Sequence, residues 1–448
     1  MFDKDFIFGA ATASFQIEGA TNIDGRTPSI WDTHCQKEGN IYDSSNGDIA
    51  CESYLRYKED VKLLKKLGVK AYRFSISWSR VMPKFNKVNK KGINYYRNLA
   101  LELIKNGITP YVTIYHWDMP QYIDDMGGFL NPDFPKWFEE YTNVVTTHLG
   151  DIVKDYITIN EPQCIIHLGH RTKEHAPGVS LSDKELLQCI HNLLLAHGRS
   201  VRVIRKNVEN STIGFAPCSR AFVPTDKDSK ELYQKCYDSY FDITSNYDFA
   251  YGVSIYSDPV FLGDYPKKYY EIFKDILPNI TKEDLEIIST PIDYCYQNNY
   301  SGDYYNLDES GNLIQLPKEL GCPESNIFWG QVVPESLYYI PKFLYERYKK
   351  PIIISENGMC CHDAVSLDGK VHDPNRVDFI RRYLINLDKA YKEVPIKGYF
   401  YWSLLDNFEW ALGYTKRFGI VYVDYKTRNR MPKDSYYAYK KIIKEAGN

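Results

Sequence analysis

Tyr54-Leu55-Arg56-Tyr57-Lys58-Glu59-Asp60-Val61-Lys62-Leu63-Leu64-Lys65-Lys66-Leu67, the break Gly68-Val69-Lys70, and Ala71-Tyr72-Arg73-Phe74-Ser75-Ile76 make up one unit of a pattern that runs through the chain. The first stretch places the apolar residues Tyr54, Leu55, Val61, Leu64 and Leu67 with the three-and-four spacing of a helix covering a sheet. The last is a short run with β-branched and aromatic residues, which reads as a strand. Working outward, residues 6–11, 110–115, 156–159, 213–216, 292–298, 352–355 and 397–402 also read as strands, and residues 95–104 and 186–204 as helices. With 71–76 that makes eight strands joined through helical crossovers, without a linker, tandem repeat or low-complexity segment between them. The expected fold is α/β, a single (β/α)8 TIM barrel domain over residues 1–448, in preference to two doubly wound domains.

Composition narrows the function. At 448 residues, 44% hydrophobic and 25% charged, the chain can bury a large core and lies far from the disordered regime. The net charge of −3 arises from 55 basic and 58 acidic residues with no basic block, so no nucleic acid is expected as partner. The opening Met1-Phe2-Asp3-Lys4-Asp5-Phe6 lacks the apolar core of a signal peptide, and no stretch approaches a membrane span, so a cytoplasmic protein without membrane contact is expected. Ten scattered cysteines, with Cys360 and Cys361 adjacent, fit reduced thiols. The Asn-x-Ser/Thr triplets at Asn210, Asn279 and Asn299 read as chance occurrences. No signal of oligomeric state is present.

In such a barrel the active site lies at the C-terminal ends of the strands. Polar residues stand there in number: Arg73 within one strand, His116-Trp117-Asp118 after the next, then Asn160-Glu161, Asn298 and Tyr300, Glu356, and Trp402. The set offers acids, amides, an imidazole and indoles, with no metal-ligand cluster and no phosphate-cradling glycine loop. Carbohydrate suits it, because sugars present hydroxyls to polar partners and a C–H face to flat rings. Cleaving a glycosidic bond with retention needs two carboxyl groups roughly 5–5.5 Å apart. A lone strand-end glutamate is more often a surface or ion-paired carboxylate, so the surrounding sequence has to decide.

Six stretches do so. Phe8-Gly9-Ala10-Ala11-Thr12-Ala13-Ser14-Phe15-Gln16-Ile17-Glu18-Gly19, Tyr72 to Arg80, His116-Trp117-Asp118-Met119-Pro120, Asn160-Glu161-Pro162, Ser355-Glu356-Asn357-Gly358, and Trp402 to Trp410 with Arg417-Phe418-Gly419 occur in that order. Together they resemble the family 1 glycoside hydrolases, the β-glucosidases and their relatives, over essentially the whole chain. The resemblance implies a retaining β-glycosidase acting on a small-molecule β-glucoside or oligosaccharide, with no cofactor and no metal. It implies Glu161 as acid and base, Glu356 as nucleophile, and Arg73 and Tyr300 as the groups that orient Glu356. It further implies substrate binding by Gln16, His116, Trp117, Asn160, Asn298, Trp402, Glu409, Trp410 and Phe418, with Trp402 as a stacking floor. Gln16 and Glu409 serve either epimer at the fourth hydroxyl, so glucosides, galactosides and fucosides all remain candidates.

Some positions depart from the family pattern. Asn298-Asn299-Tyr300 replaces the usual Asn-Tyr-Tyr but keeps the second tyrosine. Trp329-Gly330-Gln331 replaces Gly-Trp-Glu at the entrance, so the indole that stacks the leaving group is displaced by one residue or lost. Cys164, His167, His170 and His175 hint at zinc, but their spacing matches no closed structural site, and His170 is expected at the entrance. Lys416 lies where phosphoglycosidases bind a 6-phosphate, yet Glu409 would repel one, so an unphosphorylated sugar is expected. Two alternatives stay open: a sugar-binding descendant without catalysis, and a transglycosylase sharing the covalent intermediate.

Overall fold

The computed structural model describes residues 2–243 and 247–447. Eight strands, β1 (Ile7–Ala11), β2 (Ala71–Ser75), β3 (Thr109–Tyr115), β4 (Asp155–Asn160), β5 (Thr212–Ala216), β6 (Tyr294–Asn298), β7 (Ile352–Asn357) and β8 (Ile396–Trp402), close into a barrel. Every neighbouring pair is parallel, and β1 seals the ring by pairing Ala11 with Trp402 on one side and with Arg73 on the other. Each of the eight expected strands is present, shifted by no more than two residues at either end.

Strands covered on both faces are buried throughout, and β2 and β7 are buried at every position, their polar residues Arg73, Ser75, Ser355, Glu356 and Asn357 included. The expected helices are Ser53–Leu67, Lys90–Lys105 and Asp183–Asn207. The first stops at Gly68, which takes a left-handed φ of 94°, and the third starts on a capping box between Ser182 and Glu185. Inside the barrel, small residues face large rings. A Cβ on Gly214 would stand 2.0 Å from the Tyr296 ring, and one on Gly9 would stand 2.4 Å from the Phe400 ring. These rings, with Ala11, Ala71 and Ile157, form an inner core separate from the larger one between strands and helices.

Two small sheets lie outside the barrel: Ala221–Pro224, Gly302–Leu307 and Leu313–Gln315 form one, and Val421–Val423 with Arg430–Pro432 the other. Segments of three to six residues with mixed polarity carry no clear period, and sequence reasoning did not find them. Between β5 and β6 the chain inserts several helices, among them Lys230–Phe241, Val253–Leu262 and Lys282–Ile288. No helix among the described residues is long and apolar enough to cross a membrane.

Two buried charge networks brace the catalytic end. Arg80 Nε donates to Glu18 Oε2 at 2.9 Å and Tyr96 OH to Glu18 Oε1 at 2.7 Å, so two residues of the N-terminal and Tyr72–Arg80 stretches serve the scaffold. Behind β8, Lys433 Nζ donates to Asp406 Oδ1 at 2.7 Å and to Asp363 Oδ2 at 2.6 Å. Arg417 closes on Asp406 at 2.6 Å and Arg376 on Asp363 at 2.7 Å, fixing the loop that carries Glu409 and Trp410.

Candidate active site

β2 ends in Ser75 and carries Arg73 toward the barrel axis, where the guanidinium is buried. Its Nε donates to Thr113 Oγ1 on β3 at 3.0 Å, which sets the plane of the fork. The two remaining nitrogens then diverge: Nη1 donates to Glu356 Oε1 at 2.5 Å and Nη2 to Asn160 Oδ1 at 2.6 Å. Glu356 lies in β7, and its other oxygen accepts from Tyr300 OH at 2.7 Å. Tyr300 is itself held where Tyr383 OH donates to its carbonyl at 2.9 Å. Gly358 lets this strand end approach β8, because a Cβ there would stand 1.8 Å from the Trp402 carbonyl oxygen.

Glu161 sits in the turn from β4 into the helix Pro162–His170, in a left-handed conformation with φ 44°. Trp117 at φ 75° and Trp410 at φ 51° share that unfavourable region, so three of the residues facing this cavity hold backbone strain. Asn298 bridges the two acids. Its Nδ2 donates to Glu161 Oε1 at 2.8 Å and to Asn160 Oδ1 at 3.0 Å, while its Oδ1 accepts from Ser355 Oγ at 2.6 Å.

The acids differ in their surroundings. Both are buried, which raises both carboxyls. Glu356 has a cation and a hydroxyl donor opposing that effect. Glu161 has the neighbouring charge of Glu356 adding to it, and is pushed up to about 7. The proton therefore belongs on Glu161 and the charge on Glu356. Glu409, raised by burial and by both other acids, goes up to about 8.

Around the acids lie polar atoms with no hydrogen-bond partner among the described residues. Asn160 Oδ1 accepts from Arg73 and Asn298, so its Nδ2 must donate to His116 Nε2 at 3.2 Å. Burial and Arg73 hold His116 neutral, which leaves Nδ1–H as a buried donor without a partner. Gln16 Nε2 donates to Asn407 Oδ1 and to the Phe408 carbonyl at 3.0 and 2.8 Å, leaving Oε1 as an unmatched acceptor. Indoles complete the enclosure. Trp402 lies nearly parallel to His116, at 5.7 Å between centroids, and Trp410 packs on Trp117 at 4.6 Å.

The glycosyl hydrolase family 1 model matches residues 1–448. The chain belongs to glycosyl hydrolase family 1. Beta-glucosidase A of Thermotoga maritima is 42% identical over 449 residues, spanning 100% of this chain and 98% of the relative. Beta-glucosidase A of Acetivibrio thermocellus is 41% identical over 453 residues, spanning 100% and 99%. The solved beta-glucosidase from Thermotoga maritima in complex with glucoimidazole matches with a TM-score of 0.90 at 41% identity, covering 100% of this chain and 99% of that one. This family 1 chain is accordingly an O-glycosyl hydrolase of the β-glucosidase type, working with retention through a covalent glycosyl-enzyme.

Hydrogen bonds join Glu161, Glu356, Arg73, Tyr300, Asn160, Asn298 and His116 into one network, and Trp117 enters it by donating Nε1 to the Asn160 carbonyl at 3.0 Å. Phe418 stacks on Trp329 at 6.2 Å and 18°, and Trp329 meets Tyr300 edge-on at 5.4 Å, so the indole of the altered Trp329-Gly330-Gln331 stretch stays beside the tyrosine that donates to Glu356. The hinted zinc group does not assemble. His170 is buried against Phe129 with its Nδ1 paired to the Ile165 carbonyl. His175 packs on Trp31 and Trp117, and burial holds it neutral, down to about 3. Sequence reasoning gave no role to Thr113 or Ser355. Thr113 and Ser355 lie on strands already identified, and the two-residue alternation that turns Arg73 inward offers a signal for them.

Proposed function

We propose that Glu161 is the acid and base, and Glu356 the nucleophile, of a β-glucosidase that removes one unphosphorylated terminal glucosyl residue. The observation that carries this assignment is the uneven sharing of Arg73, which contacts Glu356 at 2.5 Å and reaches Glu161 only through Asn160 and Asn298. In the first step Glu356 attacks the anomeric carbon. The bond to the leaving oxygen breaks, and Glu161 gives that oxygen its proton. Esterifying Glu356 removes the charge that raised Glu161, which then ionises. In the second step Glu161 takes a proton from water, the water oxygen attacks the same carbon, and the ester bond to Glu356 breaks.

Asn160 and Asn298 stand beside both acids, suited to the second hydroxyl, whose hydrogen bonds strengthen in the transition state. Gln16 Oε1 accepts from one further hydroxyl and His116 Nδ1 donates to another. Glu409 takes two more, Trp402 and Trp410 flank the ring, and Trp329 with Phe418 meets the leaving group. Glucose as the sugar is supported by the related Thermotoga maritima enzyme, solved with glucoimidazole and with deoxynojirimycin. Residues 1–448 act as one catalytic domain, and the ten unbridged cysteines support a reducing, cytoplasmic location.

A 2-deoxy-2-fluoro-β-glucoside with a good leaving group tests the roles, since loss of the 2-hydroxyl contact slows turnover of the intermediate. Mass spectrometry of the digested protein should find the fluoroglucosyl adduct on the peptide containing Glu356. An adduct on the Glu161 peptide would overturn the assignment.

A further inference from the structure

Two thiols stand against Glu161. Cys164 lies three residues into the helix that Glu161 begins, and Cys218 follows β5 and forms a parallel bridge with Asn298. Their sulfurs are 3.8 Å apart, and both lie with a Glu161 carboxylate oxygen inside a group whose members are all within 4.8 Å of one another. Two sulfurs each about 2.3 Å from a tetrahedral ion are themselves about 3.8 Å apart, and a carboxylate oxygen completing the face stands about 3.6 Å from each.

The backbone is already arranged for such a face. The buried Gln163 side chain clamps Cys218 from both ends: Nε2 donates to its carbonyl at 3.0 Å, and Oε1 accepts from its N–H at 3.2 Å. Asn298 orients the Glu161 carboxylate through its 2.8 Å contact. Supported ligands of this kind cost little to organise. Both cysteines are partly exposed, which gives an ion a route in.

We propose that Glu161, Cys164 and Cys218 form a binding site for a soft divalent ion of the zinc class, and that the bound ion shuts down hydrolysis. Thiolate ligands select Zn²⁺ or Cd²⁺ over Mg²⁺ and Ca²⁺. Because Glu161 carries its proton, binding replaces two S–H bonds and one O–H bond by two metal–sulfur bonds and one metal–oxygen bond and releases three protons, with water in the fourth position. The ion has then displaced the Glu161 proton and lowers the basicity of the carboxylate, so the acid has no proton to give to the leaving oxygen. The inhibition rests on the role proposed for Glu161, whereas the binding does not.

The test titrates Cd²⁺, and separately Zn²⁺, into the whole protein kept reduced by a phosphine. Thiolate-to-cadmium absorbance, calorimetric proton release and glucoside hydrolysis are followed together. One equivalent added at about pH 6 should give the absorbance and three released protons, with hydrolysis falling in parallel and returning on chelation, while Mg²⁺ does nothing. Cys218→Ser and Cys164→Ser should each keep metal-free hydrolysis within about twofold and weaken Cd²⁺ binding by at least about tenfold. Glu161→Gln should weaken binding while leaving the thiolate absorbance reachable at higher Cd²⁺. Absence of a one-equivalent transition, or serine variants inhibited like the parent, would overturn the site. Stoichiometric binding with undiminished hydrolysis would overturn the inhibition and, with it, Glu161 as the acid.

Discussion

At Glu356 one cation and one hydroxyl work against the cost of burying a charge, and each can be removed singly. Tyr300 OH donates to Oε2 at 2.7 Å, and a hydrogen bond to a charged group contributes about 1.5–3 kcal/mol. Tyr300→Phe should therefore lower kcat by about 10–150-fold with little change in KM, since the contact matters most as charge leaves Glu356. It should also move the acidic limb of the pH profile upward, because a carboxylate that loses a donor is easier to protonate. Steady-state kinetics across pH checks both, and an unchanged kcat would count against the orienting role. Glu161 must be protonated to act as acid, and its carboxyl is raised to about 7. The alkaline limb of kcat/KM should accordingly fall as pH rises through about 7. In Glu356→Gln the neighbouring charge is gone, so NMR of labelled Glu161 should report a lower titration midpoint. A midpoint that stays in place would remove the proposed coupling.

Strand ends position the acids, but one loop closes the site over them, and that loop is anchored by a lysine. Lys433 is fully buried between Asp406 and Asp363, and removing one partner of a buried ion pair costs about 3–5 kcal/mol. Lys433→Met should lose that much stability in a urea titration and raise KM more than it lowers kcat, because the carrier of Glu409 and Trp410 loosens. A stable variant with unchanged KM would separate the network from the loop. At this scale the eight strands were legible, since parallel strands buried on both faces leave short, mainly apolar, β-branched and aromatic runs such as residues 71–76 and 352–355. The carboxylates were legible only with their neighbours. Asn160 beside Glu161 and the distant Arg73 and Tyr300 distinguish them from ordinary strand-end acids. Cys218 was not legible, because its meeting with Cys164 depends on how β5 leaves the barrel, which no local period encodes. The spacing of the histidines near Cys164 spoke against a closed metal site, and His170 Nδ1 pairs with a carbonyl of its own helix.

For the molecule as a whole, the cavity that binds sugar is a place where stability is given up. Glu161 is raised to about 7 and Glu409 to about 8, chiefly by burial. An unfolded glutamate titrates near about 4.3, so the native state keeps protons that the unfolded chain has released. Their contribution is complete below about pH 4, and is lost as pH rises through the native values near 7 and 8. Glu409→Gln stays neutral throughout. Its Tm should exceed the parent's by an amount that grows from pH 5 to pH 9, reaching about 2–4 °C, while kcat/KM falls about 10–100-fold from the lost sugar contacts. Scanning calorimetry at several pH values checks the trend, and a pH-independent difference would contradict it. The account depends above all on which acid makes the covalent bond. Glu356→Ala should reduce turnover of an aryl β-glucoside by about 10⁴-fold or more, with azide restoring it in the space vacated by the carboxylate. The product's configuration then decides: α-glucosyl azide is the predicted result, and β-glucosyl azide would show that Glu161 and Glu356 exchange roles.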